Sequence, residues 1–352
     1  MPEAIAWIDP QPARPQGTEG GPLSPEDQAS WQDAGYALVD GILPEECLDP
    51  VLHLIQRELR NLSAEEQAAV SDFGSDGRMV FPTGHEALDA LSLHPRVLAA
   101  VAQLLETPIH NLRLTQADLW SKFGRSDSQN GRYDNTDQRI HVDYPNHTLT
   151  HPPAWETPDA VEIIVYFDAV EDCGGATAVI PREGPEDPAY AWPMMATPGL
   201  GTLPWINDRE SAERDLAHRA PEIHDFRAEH LYPRQRRARF GPGSLLFYRH
   251  DTWHRGTPLL PGKQRVVQNL TFRKAESEWI STLHPGWAWK MYRRDLSVES
   301  LIARASVDQR CVLGFPAPGH PYWTSATVSA VEARYGALGM DISPYRRALS
   351  KA

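Results

Sequence analysis

Hydrophobic and polar positions alternate with period two through the middle of the chain, and helical spacing holds on either side. The clearest alternation is Asn111-Leu112-Arg113-Leu114-Thr115-Gln116-Ala117-Asp118-Leu119-Trp120-Ser121-Lys122. Successive strand side chains point to opposite faces, so this run predicts a long strand. Val161–Phe167 is the most strand-like run of all. Tyr36–Val39, Arg139–Tyr144, Ala176–Ile180, Arg236–Phe240, Ser244–Tyr248 and Arg265–Phe272 read as further strands, with Gly174-Gly175 and Gly241-Pro242-Gly243 as turns. Helix starts precede them. Ser24-Pro25-Glu26-Asp27 offers a cap, a proline at the first helical position and acids in the first turn, with Gly35 near the end. Pro44-Glu45-Glu46 opens a second helix to about Arg60, Ser63-Ala64-Glu65-Glu66 has capping-box spacing, and Val97–Glu106 is helical. Helices, then short strands with Gly/Pro turns, then helices suggest a β-sandwich or jelly roll with flanking helices, mainly β in an α+β arrangement.

Residues 1–22, rich in Pro, Gly and Gln, predict a loose N-terminal arm. The main domain is expected over 23–275. Within it, 182–234 is too long for a plain loop and predicts an insertion with short helices. Residues 276–352 predict a helical extension packed on the same domain, its many aromatics serving core packing or a dimer contact.

Composition narrows the function classes. Of 352 residues, 34 are Lys or Arg and 47 Asp or Glu, a net charge of −13. That balance argues against non-specific binding to nucleic acid or anionic membranes. The three cysteines, Cys47, Cys173 and Cys311, are far apart and suggest neither a disulfide framework nor a cysteine zinc site. No apolar run reaches the length of a membrane span and no secretory signal is visible, so the expectation is a cytoplasmic protein, monomer or homodimer.

The candidate chemistry begins at His141-Val142-Asp143. On a strand, His141 and Asp143 share a face, and an imidazole beside a carboxylate makes two corners of a metal site. A third ligand from a later strand would complete a two-His-one-carboxylate set; His250 and His254 both qualify. Arg265 opens an apolar strand, where a buried guanidinium needs an anion, either a protein carboxylate or a bound dicarboxylate. Other motifs carry less. His85-Glu86-Ala87-Leu88-Asp89 lacks the second histidine of a zinc-protease helix, and Gly241-Pro242-Gly243-Ser244 precedes a strand and is no nucleophile elbow. The run Arg234, Arg236, Arg237, Arg239 reads as a solvated strand edge, while leaving room for an anionic substrate.

His141-x-Asp143, Asp168-Ala169-Val170-Glu171-Asp172-Cys173-Gly174-Gly175-Ala176-Thr177-Ala178-Val179-Ile180-Pro181, Gly243-Ser244-Leu245-Leu246-Phe247, His254 and Arg265 together resemble the phytanoyl-CoA dioxygenase family. The helix–strand–helix around Asp33-Ala34-Gly35-Tyr36-Ala37-Leu38-Val39-Asp40-Gly41 fits the same family, and the resemblance runs over roughly residues 23 to 273. It implies a double-stranded β-helix of the jelly-roll, cupin-like kind, and an oxygenase using Fe(II), 2-oxoglutarate and O2 on a small organic substrate. It implies His141, Asp143 and His254 as iron ligands, Arg265 as the clamp on the far carboxylate of 2-oxoglutarate, and Lys122 and Thr177 in the same pocket. Asp143 favours hydroxylation, since related halogenases carry a small residue there. The chain departs from the family at Pro181-Arg182-Glu183-Gly184, where Pro-Gly-Ser-His is usual, so phytanoyl-CoA is not implied as the substrate. Tyr144, Asn146 and Arg182 are the candidate substrate residues. The competing readings are a cupin-like zinc or manganese hydrolase or isomerase on the same His/Asp/His set, which has no use for Arg265, and a jelly-roll binding protein without turnover.

Overall fold

The computed structural model describes residues 6–69, 79, 81–124, 137–143, 154–190, 208–277 and 297–350. Two sheets form the frame. One has six strands in the order β2-β3-β8-β5-β10-β4, and the other four in the order β1-β7-β6-β9. The strands are β1 Ala6–Ile8, β2 Gln11–Pro12, β3 Tyr36–Asp40, β4 Leu112–Phe123, β5 Ala160–Tyr166, β6 Thr177–Val179, β7 Arg236–Ala238, β8 Leu245–Arg249, β9 His254–Gly256 and β10 Gln264–Lys274.

Alternation along the strands of the larger sheet divides two cores. Ala37 and Val39 of β3, Val161, Ile163 and Val165 of β5, Leu245 and Phe247 of β8, and Val266, Leu270 and Phe272 of β10 join one apolar cluster. That cluster contains the buried faces of α2 (Glu45–Glu58), α4 (Glu86–Ser92) and α5 (Pro95–Leu104), so these helices cover the outer face. The alternate positions Tyr36, Leu38, Ile164, Tyr166, Leu246, Tyr248, Trp120 and Val267 meet Val179, Ala238 and Phe240 of the second sheet region. This inner face is where the site lies. By the same parity, Lys122, Glu162 and Arg265 belong to it.

Local signals explain the helical frame. In α1 (Pro25–Ala34) Ser24 and Asp27 complete a capping box, and Gly35 ends the helix at φ 91°. The left-handed backbone matters here, because a Cβ on Gly35 would lie 2.6 Å from Thr252 Oγ1 in the loop before His254. A helix α3 (Ala64–Ala69) follows α2.

Residues 6–12 depart from the expected loose arm. Strand β1 pairs parallel with β7, and β2 pairs with β3, so each extends a sheet edge. Neither run alternates, and β2 is two residues long, which is why periodicity missed them.

A short α6 (Val170–Cys173) leads into β6. The insertion carries α7 (Arg209–Arg219), α8 (Pro221–Phe226) and a π-helical turn, Arg227–Leu231. After β10, helices α9 (Ser297–Arg304), α10 (Val307–Val312), α11 (Ser325–Tyr335) and α12 (Ser343–Leu349) contribute to a separate apolar cluster around Phe315, Trp323, Tyr335 and Tyr345. Trp279, Trp287, Trp289 and Tyr292 lie outside the described residues. Among the described residues, no helix is long and apolar enough to cross a membrane.

Candidate metal centre

The segment 137–143 is extended but makes no ladder. His141 and His254 exchange backbone hydrogen bonds at 2.9 Å each way, a single antiparallel bridge. The Asp143 N–H donates to the His250 carbonyl at 3.0 Å. Over 139–143 the expected strand is thus one bridge, beside a β9 only three residues long. The alternation still holds. Ile140 and Val142 enter an apolar cluster with Ile180, Tyr190, Tyr232 and Trp253, which turns His141 and Asp143 to the other side.

His141, Asp143 and His254 each present one ligand atom, and these atoms lie within 4.8 Å of one another. His141 Nε2 is 3.7 Å from Asp143 Oδ1, and His254 Nε2 is 3.2 Å from Asp143 Oδ2. Each histidine has its Nδ1 at 3.0 Å from a backbone carbonyl, of Arg139 and of Thr252 respectively. A carbonyl only accepts, so Nδ1 carries the proton and Nε2 turns its lone pair inward. Burial, followed by the neighbouring His254, pushes His141 down to about 3, leaving a neutral imidazole. Burial alone would lower His254 too, but the Asp143 carboxylate outweighs it and raises the group. Two neutral Nε2 donors and a carboxylate are the donor set a divalent cation needs, and coordination would replace the proton that Asp143 favours on His254.

Asp143 is itself held. Tyr248 Oη donates to Asp143 Oδ2 at 2.9 Å. Burial, then Asp143, keeps Tyr248 well above its usual pKa, so it stays a donor. Tyr248 was missed in sequence; its signal is a hydroxyl-bearing side chain on the inner parity of β8. His250 is engaged elsewhere, with Nδ1 at 2.9 Å from Glu162 Oε1 and both side chains buried. Of the two histidines open at the sequence level, His254 is the one that joins His141 and Asp143.

Beside this set, Arg265 of β10 and Lys122 of β4 are directly opposed in the antiparallel ladder. Arg265 is buried and donates through Nη1 to the Gly175 carbonyl, while among the described residues its Nε has no hydrogen-bond partner. Among the described residues it has no salt bridge. Asp168, which acts on it electrostatically, is taken by Arg60 and by the Val266 N–H at 2.7 Å. Burial lowers Arg265 from its usual value. Burial first, and Arg265 second, push Lys122 down to about 7. Two facing cations, one with an unmatched buried donor, fit an anionic ligand such as a dicarboxylate. Thr177 of β6 lies on the facing sheet and accepts from Tyr166 Oη at 2.8 Å. Burial pushes Tyr166 up to about 12, so it keeps its proton and leaves the Thr177 hydroxyl hydrogen free to donate.

Of the substrate candidates, Arg182 stacks on Trp155, 4.0 Å from the ring centre, and donates to the Gly184 and Pro185 carbonyls at 2.8 and 2.6 Å. Tyr144 and Asn146 lie outside the described residues. The basic run is structural in part: Arg234 grips Asp187 at 2.8 and 2.6 Å, and Arg239 pairs with Asp9 at 2.7 Å.

The family model for phytanoyl-CoA dioxygenase (PhyH) matches residues 31–266, and this chain belongs to that family. No curated protein matches the sequence. Solved structures similar to it include the non-heme alpha ketoglutarate dependent epimerase SnoN from nogalamycin biosynthesis, at 17% identity and TM-score 0.43 over 71% of this chain and 82% of that one. The carbocyclase SnoK from the same biosynthesis is 16% identical, with TM-score 0.46 over 75% and 92%. EvdO2 from Micromonospora carbonacea var. aurantiaca is 14% identical, with TM-score 0.47 over 72% and 92%.

Proposed function

We propose that this protein is an Fe(II)- and 2-oxoglutarate-dependent dioxygenase that hydroxylates, or otherwise oxidises, an unactivated C–H of a small organic substrate. The observation that carries it is the pairing of two features on one inner face. A His/Asp/His set suited to one metal ion stands beside a buried guanidinium whose Nε lacks a partner among the described residues. Each feature alone is common; a metal site with a built-in anion clamp calls for a metal-bound dicarboxylate.

In this reading His141, Asp143 and His254 hold iron. The Nδ1 contacts to Arg139 and Thr252 fix the two rings, and Tyr248 fixes the carboxylate. Arg265 takes the far carboxylate of 2-oxoglutarate, Lys122 adds a second positive charge, and Thr177, oriented by Tyr166, donates a hydrogen bond. Iron and 2-oxoglutarate together supply the means of activating O2, with succinate and CO2 released. With Asp143 as a metal ligand, oxygen insertion would be favoured over halogenation. Tyr144 and Asn146 remain our candidates for substrate contact. A zinc or manganese hydrolase on the same ligands would leave the Arg265–Lys122 pair without a task.

The test is 2-oxoglutarate turnover. With Fe(II) and O2 the protein should release succinate slowly, and a panel of small acids and secondary-metabolite intermediates should contain members that stimulate it. Asp143→Ala should abolish release. Succinate formation that persists undiminished in Asp143→Ala, or none with any metal loading, would remove the proposal.

A further inference from the structure

We infer that the helical segment 208–234 holds the metal-ligand segment in register, with Arg227 and Tyr232 as positioning residues for His141 and Asp143. The inference rests on the metal-centre reading above. A segment held only by isolated bridges must satisfy its remaining backbone groups elsewhere. Those of His141 go to His254. Those of Ile140, one residue earlier, go to the insertion. The Ile140 N–H donates to Tyr232 Oη at 3.3 Å, and the Ile140 carbonyl accepts from Arg227 Nη2 at 3.0 Å. The ligand segment is therefore gripped from both edges, β9 on one side and the insertion on the other.

The grip is itself anchored. Arg227 is buried and meets Glu213 of α7 through Nε at 3.0 Å and Nη2 at 2.6 Å. Tyr232 Oη donates to the same Glu213, so its one proton is spent there and its lone pair is left for Ile140. Arg227 opens the π-helical turn, a wide turn often found at functional sites. Further upstream, the Arg209 N–H donates to the Asp137 carbonyl at 2.9 Å, and the Asp137 carboxylate pairs with Arg255 of β9. Behind the ligands, Leu231 and Tyr232 share one apolar cluster with Ile140, Val142 and Trp253, the neighbours in sequence of all three ligands. A hydrophobic pair could fill the space of Arg227 and Glu213 without desolvating two charges. What only the guanidinium supplies is a donor to a carbonyl that has no strand partner.

The experiment uses the full chain, stripped of metal and titrated with Co(II), reading affinity and the visible d–d spectrum. The variants are Tyr232→Phe, which keeps the ring and loses only the hydroxyl, and Arg227→Met. Glu210→Gln, on the exposed side of α7, is the control. Tyr232→Phe should stay folded by circular dichroism, bind Co(II) about tenfold more weakly and shift its spectrum, as outer contacts to ligands usually do. Arg227→Met should be weaker still, and Glu210→Gln unchanged. If Arg227→Met does not fold, Tyr232→Phe decides alone. A folded Tyr232→Phe with wild-type affinity and spectrum overturns this inference only. A wild type that binds no Co(II) overturns the metal reading and this inference with it.

Discussion

Replacing Lys122 by Met should stabilise the ligand-free protein and weaken its hold on 2-oxoglutarate, two effects of opposite sign. Lys122 and Arg265 face each other across β4 and β10, and like charges so placed repel. Burial, then Arg265, takes Lys122 from 10.5 to about 7. At face value that displacement amounts to several kcal/mol. The side chain is half-buried, so solvent screening reduces the penalty to about 1–2 kcal/mol. A lowered lysine binds its proton more weakly in the native state than in the unfolded one. The penalty is therefore fully present below about pH 7 and fades as pH rises toward the unfolded value of 10.5. At pH 6.5 Lys122→Met should raise the ligand-free melting midpoint by roughly 1–3 °C, and by less at pH 9. Loss of one cation from a dicarboxylate site should weaken 2-oxoglutarate about tenfold, or ~1.4 kcal/mol. Wild-type affinity should fall as pH climbs above about 7 while that of the variant stays flat. Thermal melts with and without 2-oxoglutarate, and anaerobic calorimetric titrations on the Co(II) form, read both effects. A variant that melts lower without ligand and binds 2-oxoglutarate as well as wild type would show Lys122 to be an ordinary strand-end lysine.

Three further outcomes follow from the same geometry. Arg265→Gln removes the buried donor and should weaken 2-oxoglutarate by about 100-fold, with Co(II) binding kept; equal loss of both would place Arg265 in the metal site or the fold instead. Tyr248→Phe deletes the hydrogen bond to Asp143 and should lower Co(II) affinity by about tenfold with little change in melting, while unaltered affinity would make that contact incidental. Glu162→Gln removes the carboxylate that lies 2.9 Å from His250 and should cost about 1–2 kcal/mol in denaturant melts, yet leave Co(II) bound; a variant as stable as wild type would refute the contact.

Much of the site was legible because it depends on short-range periodicity. Spacing by two placed His141 and Asp143 on one side, and that survives although the strand around them shrank to a single bridge. Lys122 and Arg265 were each visible as cations on alternating strands. Their direct opposition was not, since register comes from the pairing of residues 143 apart in sequence. Spacing alone likewise left His250 and His254 open, and only the family resemblance pointed to His254. The choice is decided by Glu162, a carboxylate on the inner face of β5 that captures His250. β9 was missed because three residues carry no period, and β1 and β2 for the same reason. Arg227 gave no sign at all. It sits in a polar helical stretch, and only the fold brings it to the Ile140 carbonyl. Hydrophobic pattern thus reports which face a residue takes, while partners across long sequence distances wait for the tertiary structure.

The most direct measurement is the visible spectrum of the protein with Fe(II) and 2-oxoglutarate under anaerobic conditions. A weak metal-to-ligand charge-transfer band that needs both components is the expected result. Asp143→Ala should lose it and His250→Ala should keep it, because His250 lies with Glu162 and not with the ligands. No band in the wild type, together with tight retention of zinc, would contradict the oxygenase assignment, and loss of the band in His250→Ala but not in Asp143→Ala would contradict the ligand set.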